Sequence, residues 1–526
     1  MKKRTPNSNG ASLRSFEGPR KAAAAILALG LLPCSLSAQV RIWDGEGDAV
    51  NWTDALNWTG DEVPDTVGED AVIDDDPLVD TTVLLDPANG TVLDIGSLTV
   101  DDGDTLNVRF DSGTLNVTGG LSNSGTISHS SSPSSNSRTV HFNVTGTDMI
   151  FNTATGSILL GTTSGRNRIN VVMTLDAQNQ NDGSIEATLT TNADRDSVRF
   201  RLENSGTFTN NGTILIQDTH SSTSSYSQLQ LLTEGADVTF AGSGSVTLDI
   251  GTLTDTARAR IYGNSGNQTL TNGASHTING SGQISSNLEV FVNEGLVDAT
   301  SDTGQFVIAS SDSVTNAATG RLVATGAAGL NISNGSSTFV NNGHMEARTG
   351  SSISVGSSSA TLNGVIAGGG TYQSSTELTG SATLSVGDSS NADGTGTSTI
   401  GTLTFSDGLI LADTTELNFQ LGTAGVGGTD YDLLNVIGSL TLDGILNIEA
   451  MGGFEVGTYR LITFTSGELT DNGLTLGDTP SGYTYSLDAN DAGGYVDLTV
   501  VPEPSSVAML MGAGALFVAM RRRRNS

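Results

Sequence analysis

Between about residue 40 and residue 500, apolar residues alternate with polar ones in short runs cut by Gly and Asn. Ile95-Gly96-Ser97-Leu98-Thr99-Val100, Leu106-Asn107-Val108 and Leu115-Asn116-Val117 show the period of two expected of half-buried strands. No apolar pattern of helical period and useful length interrupts them. A recurrent unit places Asn at i, Gly at i+2 and an apolar residue at i+4. It occurs as Asn123-Gly125-Ile127, Asn181-Gly183-Ile185, Asn204-Gly206-Phe208, Asn210-Gly212-Ile214, Asn293-Gly295-Val297 and Asn341-Gly343-Met345, and more loosely as Asn152…Gly156-Ser157-Ile158 and Asn316…Gly320-Arg321-Leu322. Asn and Gly tolerate positive φ, so they are expected at a corner, and the apolar residue then starts an inward-facing strand. A chain that turns this way again and again predicts an all-β solenoid over 91–400, with stacked Asn side chains adding hydrogen bonds between coils. The spacing is irregular and does not assign the coils one by one.

The two flanks of this repeat differ from it. All three tryptophans fall in residues 39–90, within Arg41-Ile42-Trp43-Asp44-Gly45, Asn51-Trp52 and Asn57-Trp58-Thr59-Gly60, followed by Val63-Pro64 and Asp70-Ala71-Val72-Ile73. This pattern resembles the start of many secreted bacterial proteins with autotransporter-like passengers, and the resemblance implies a right-handed parallel β-helix. A solenoid's first coil exposes its apolar core, and three indole rings can cover it; a sugar-stacking platform is the other reading of the same rings. Residues 401–500 carry longer apolar runs, among them Asp430-Tyr431-Asp432-Leu433-Leu434, Gly438-Ser439-Leu440-Thr441-Leu442 and Gly457-Thr458-Tyr459-Arg460-Leu461-Ile462. They resemble the closing β-module of such passengers and are expected to form the last coils and cap.

Both ends read as addresses. Lys2, Lys3, Arg4, Arg14, Arg20 and Lys21 precede an apolar run from Ala22 to Leu32 and then Ser35-Leu36-Ser37-Ala38, which is the layout of an export signal over 1–38. Pro33 and Leu32 do not suit lipidation of Cys34, and cleavage after Ser37 or Ala38 removes this sole cysteine. At the other end, 501–526 contains Pro502-Glu503-Pro504, an uncharged run from Ser505 to Met520, and Arg521-Arg522-Arg523-Arg524. Sixteen residues of helix reach roughly 24 Å, a little short of a hydrocarbon core of about 30 Å. Four arginines hold that end on the cytoplasmic side, and the prolines keep the preceding segment extended. The order of these features resembles the PEP-CTERM sorting signal of exported proteins of Gram-negative bacteria. The resemblance implies transient membrane insertion through a C-terminal transmembrane helix over 505–520. It also implies exosortase, a membrane transpeptidase, as the partner that removes the tail.

Charge narrows the partners. Residues 39–501 keep 13 basic and 54 acidic residues, a balance of −41, with no lysine. Such a surface repels nucleic acid and anionic lipid, and suits solubility outside the cell, divalent cations or basic partners. With 66 Gly and abundant Ser, Thr and Asn, the composition is that of strands and turns rather than of a disordered chain.

Chemistry is sparse. His129, His141, His220, His276 and His344 show no metal-ligand pairing and are expected to face solvent. No nucleophile elbow or phosphate-cradling loop stands out, so neither catalytic nor metal residues are assigned. Asp74-Asp75-Asp76 and Asp101-Asp102 with Asp104 are the carboxylate clusters, and Arg195, Arg199, Arg201 and the pair Arg258 and Arg260 the basic ones. A polysaccharide lyase or hydrolase would draw on these, and calcium at the acidic turns is the one cofactor left open. The leading expectation is a non-enzymatic, exported cell-surface or extracellular-matrix protein, structural or adhesive, with exopolysaccharide or surface glycans as candidate partners. An inert spacer is the third reading.

Overall fold

The computed structural model describes residues 39–503, apart from 75–79, 89, 110–112, 130–137, 146–149, 163–166, 176–178, 191–196, 221–224, 285–286, 334–337, 357–358, 374–375 and 378–381, together with 520, 521 and 523. The expected export signal, Pro504, the apolar run from 505 to 519, Arg522 and Arg524 lie outside the described residues.

The predicted alternation becomes short strands, each paired in parallel with the strand three elements further on. Ile150–Asn152 lies between Leu121–Asn123 and Gln180–Asn181. Ser157–Thr162 lies between Thr126–His129 and Ser184–Leu189, and Asn167–Thr174 between Arg138–Val144 and Ser197–Glu203. Three strands therefore make one rung, and the rungs stack into three long parallel sheets, the architecture of a parallel β-helix. The first sheet has 13 strands, from Gln39–Ile42 to Ser359–Leu362, and a 4-stranded sheet from Thr376–Glu377 to Leu469–Asp471 takes its place in the later rungs. The second has 16 strands, from Thr82–Leu85 to Thr475–Leu476. The third starts at Val92–Ile95 and changes direction at its end: Gly457–Thr463 pairs antiparallel with Tyr495–Pro502, which pairs antiparallel with Tyr483–Asn490. That hairpin covers the sheet edge the last rung would otherwise leave open.

One side of most described strands points into a continuous apolar core. At its N-terminal end Trp43, Trp52 and Trp58 are at most 1% exposed. Trp58 meets Trp43 and Trp52 edge-on, with ring centroids 5.2 and 4.6 Å apart, and its Nε1 donates to the Trp52 carbonyl at 2.8 Å. With the rings buried against one another, no indole face is open for a sugar, which overturns the stacking-platform reading.

The first sheet also buries a row of amides. Each Nδ2 donates to the Oδ1 of the next, from Asn123 to Asn152, Asn181 and Asn210, every step at 2.7 Å. A second row runs from Asn272 to Asn293, Asn316 and Asn341 at 2.7–2.8 Å. Between them the register shifts. Thr209 pairs with Ala241, so Gly242 follows over Asn210, while Phe240 pairs with Asn272. His276 fills the gap, its Nε2 3.0 Å from Asn210 Nδ2 and its Nδ1 2.7 Å from Asn272 Oδ1. The result is one chain of donors and acceptors with a single direction, ended by Val100 before Asn123 and Leu362 after Asn341. An unpaired buried amide costs about 1–3 kcal/mol, so the row is tolerated only because each member has the next.

The glycines of the repeat serve a different purpose from the one expected. Positive φ occurs at Asn204 and Gly206 but not at Asn123, Gly125, Asn181 or Gly183. What requires glycine is close approach: a Cβ on Gly183 would stand 2.1 Å from the Gly156 carbonyl oxygen, and one on Gly343 2.2 Å from that of Ala317. Each corner nests against the backbone of the rung before it.

Candidate functional site

The described part of the sorting motif sits at the end of the closing hairpin. Pro502 is the last residue of its strand, opposite Tyr483, and both it and Glu503 are exposed. The Glu503 amide donates to the Gly482 carbonyl at 3.1 Å, so the hairpin holds the entry to the motif away from the core. Arg521 and Arg523 are exposed. Among the described residues, no helix is long and apolar enough to cross a membrane.

Among the described residues, the carboxylate clusters do not assemble a metal centre. Asp104 is buried and its Oδ1 caps the Thr81 amide at 2.8 Å. Asp101 is pushed above its ordinary value by burial and by the neighbouring carboxylates of Asp74 and Asp102. Asp75 and Asp76 are outside the described residues, and among the rest no three His, Cys, Asp or Glu side chains converge to hold an ion.

The histidines are mostly not where the sequence reading put them. His129, His220 and His276 are buried. Burial holds the imidazoles of His129 and His276 neutral, lowering each from 6.5 to about 4. Their positions fall on inward or ladder columns, which lone histidines in a polar strand do not announce.

The basic residues separate into two environments. Arg258 is 3% exposed, 3.5 Å from the Asp218 carboxylate, and donates to the carbonyls of Ser225 and His220 at 2.7 and 3.0 Å. Arg260, two residues on, points outward from the third sheet in the same column as Arg199, which lies two rungs back with Gln228 between them. Arg195 is outside the described residues.

Two further features were not legible from spacing. The loop from Gly387 to Gly401 lies over the outer face of the second sheet and is tied to it by Glu346. That carboxylate is 0% exposed and accepts from Arg348 at 3.1 Å, His344 at 3.1 Å and the Ser389 amide at 2.8 Å. Burial pushes its pKa up, but these bonds more than offset it and the group stays below its ordinary value. Beside the loop opens a groove of about 360 Å³ lined by Ser385, Thr397, Ser398, Asn418, Asn447 and Asp478, with Gln420 and Glu449. Its amides are chained, Asn447 Nδ2 to Asn418 Oδ1 at 3.0 Å and Gln420 Nε2 to Glu449 Oε2 at 2.8 Å.

The parallel-stacked β body thus leads into an exposed Pro502-Glu503 pair. Residues 500–524 match the PEP-CTERM protein-sorting motif. Over 90 residues, 16% of this chain, the sequence is 49% identical to the Adhesin BmaC autotransporter of Brucella suis biovar 1 (strain 1330). That alignment spans 3% of the length of the relative.

Proposed function

We propose that this protein is a structural and adhesive component of the cell surface or extracellular matrix. It is delivered through its C-terminal signal and released from that signal by an exosortase-type transpeptidase. The observation that carries the reading is the sorting motif over 500–524, whose Pro502 and Glu503 are exposed at the end of the closing hairpin. The stretch shared with an adhesin supports the adhesive part. The coil is taken to be right-handed because parallel crossover connections are so in nearly all folds.

The mechanism is that of a stiff, repetitive surface. Rungs stack at about 4.8 Å, so outward polar side chains recur in columns, and many weak contacts to a polymer add by multivalency. No catalytic role is assigned. The groove beside the 387–401 loop has Glu449 and Asp478 as its carboxylates, and among the described residues neither has a cationic partner.

Mass spectrometry of C-terminal peptides from extracellular and envelope fractions of the native host tests the proposal. The expected terminus lies at or near Pro502 to Pro504, with Arg521–Ser526 absent. An intact tail in the membrane fraction would mean a retained anchor and would remove exosortase processing from the account.

A further inference from the structure

In a body with 13 arginines and 54 acidic residues, three arginines converge on one outer face without a carboxylate partner among the described residues. On the third sheet, Asn170, Arg199, Gln228, Arg260 and Gln283 are register neighbours in one outward column. Arg201, Gln230 and Tyr262 form the next. Among the described residues no ion pair involves Arg199, Arg201 or Arg260. Two described acids, Glu203 on the Arg199 strand and Asp255, which acts on Arg260, have contacts of their own. Glu203, at the strand end, lies 3.4 Å from Thr174 Oγ1, and Asp255 pairs with Arg258 at 3.5 Å.

The guanidinium groups are held in place by neutral groups. Arg260 lies over the rings of Tyr226 and Tyr262, 5.1 and 4.5 Å from their centroids, and Gln228 turns its carbonyl toward it. Arg199 lies 5.2 Å from the Tyr226 centroid and donates to the Tyr226 hydroxyl. The Nε atoms of Arg199 and Arg201 and the Oε1 of Gln230 are buried with no hydrogen-bond partner. Burial and the neighbouring Arg199 lower Arg201 to about 10, which leaves it charged at neutral pH. Holding like charges together without an acid costs stability, so the arrangement is one that an external anion relieves.

Resting on the adhesive reading above, we propose that this face binds a carboxylated polysaccharide, with uronate carboxylates meeting the part-exposed Arg199, Arg201 and Arg260, while Asn170, Gln228 and Gln230 of the same columns are buried. The spacing favours a glycan over a peptide. Arg199 and Arg260 are two rungs apart, about 9.6 Å, a distance that suits alternate sugars of an extended chain. The strong negative charge elsewhere does not forbid this, because at physiological salt charges more than about 8 Å away are largely screened. Planar, forked guanidinium groups suit carboxylate recognition.

The test measures binding of the full chain to polygalacturonate, with dextran as the neutral probe and dextran sulfate as the sulfated one. Arg201→Glu is the site variant, since Arg201 makes little of the fold's bonding. Arg109→Glu, at a half-exposed position 3.9 Å from Asp86, changes the net charge equally. Expected are salt-sensitive binding to polygalacturonate, none to dextran, a loss of about tenfold or more in Arg201→Glu and no loss in Arg109→Glu. Equal losses in both variants, no loss in either, or tighter binding to dextran sulfate would overturn the assignment. Cell attachment separates this site from the broader reading. If Arg201→Glu loses polygalacturonate while host-cell attachment never depended on the protein, the adhesive reading falls and the site stands. If attachment depends on the protein but polygalacturonate binding ignores Arg201, the site alone falls.

Discussion

Replacing His276 isolates the joint between the two asparagine rows. Its neighbours fix its state: Asn210 Nδ2 is a donor, so Nε2 must accept, and Nδ1 donates to Asn272 Oδ1. Only the neutral imidazole with its proton on Nδ1 satisfies both. The ring is 0% exposed and stacks on Phe240 at 5.3 Å, and burial lowers its pKa from 6.5 to about 4. Between these values the unfolded chain carries a proton that the native one refuses. The contribution of His276 is thus complete above about pH 7 and declines as the pH falls toward 4. A displacement of about 2.5 pH units corresponds to on the order of 3 kcal/mol.

The whole protein will not display that slope directly. His129 acts with the same sign, but burial raises Asp218 and Asp298 to about 6 and Asp432 to about 7. Those carboxyls hold a proton more tightly when folded, so their contribution is largest below pH 4 and is lost as the pH rises through 6 to 7. The informative quantity is the difference between wild type and His276→Gln, whose amide can accept from Asn210 and donate to Asn272 without titrating. Native-state hydrogen exchange of amides in 237–296 reads it locally, which suits a fold whose rungs depend mainly on their neighbours. The advantage of wild type over the variant should shrink by on the order of 3 kcal/mol from pH 7 to pH 4. A difference that stays flat across that range would falsify the neutral-bridge account. At pH 7, His276→Ala should cost about 3–5 kcal/mol, from a lost stack and an orphaned carbonyl in a cavity.

Two further substitutions probe the packing. Gly183→Ala sets a methyl 2.1 Å from the Gly156 carbonyl oxygen and should cost about 1–3 kcal/mol in urea unfolding, whereas Gly452→Ala, with nothing within 4 Å, should stay within about 0.5 kcal/mol. Trp58→Ala should destabilise the first rungs by about 3–5 kcal/mol, seen as lost amide protection in 39–42 and 69–73 with C-terminal rungs unchanged; uniform loss along the chain would contradict a local cap.

How far the sequence could be read depended on whether a feature was local. Alternation and the Asn-x-Gly units are properties of a few adjacent residues, and they located strands and most of the ladder. Asn204-Gly206-Phe208 matched the same pattern, yet Asn204 is a positive-φ residue before the strand and the ladder member is Asn210. Asn272 and His276 were missed because their place depends on a register shift one rung earlier. The spacing Asn272 to His276 was nevertheless a signal, since Gly156 and Gly320 follow Asn152 and Asn316 at the same distance. A Cβ at Gly156 would meet Asn152 Oδ1 at 2.3 Å. Where Gly242 replaces the asparagine below, that space is free, and an imidazole occupies it.

The same dependence on rung length hid the arginine face. Arg199 and Arg260 are far apart in the chain and share a column only because each pairs with Gln228 in the register. A rung that is 29 residues long between Asn152 and Asn181 is 21 between Asn272 and Asn293, so no fixed period could have aligned them. In a solenoid the inward columns must keep register, because each apolar or amide side chain needs its counterpart in the next rung. The connections between sheets carry no such demand and change length freely. The core is therefore written in short repeated words, while the outer surface is set by the accumulated lengths between them. Function placed on that surface, like the arginine columns, becomes visible only once the rungs are stacked.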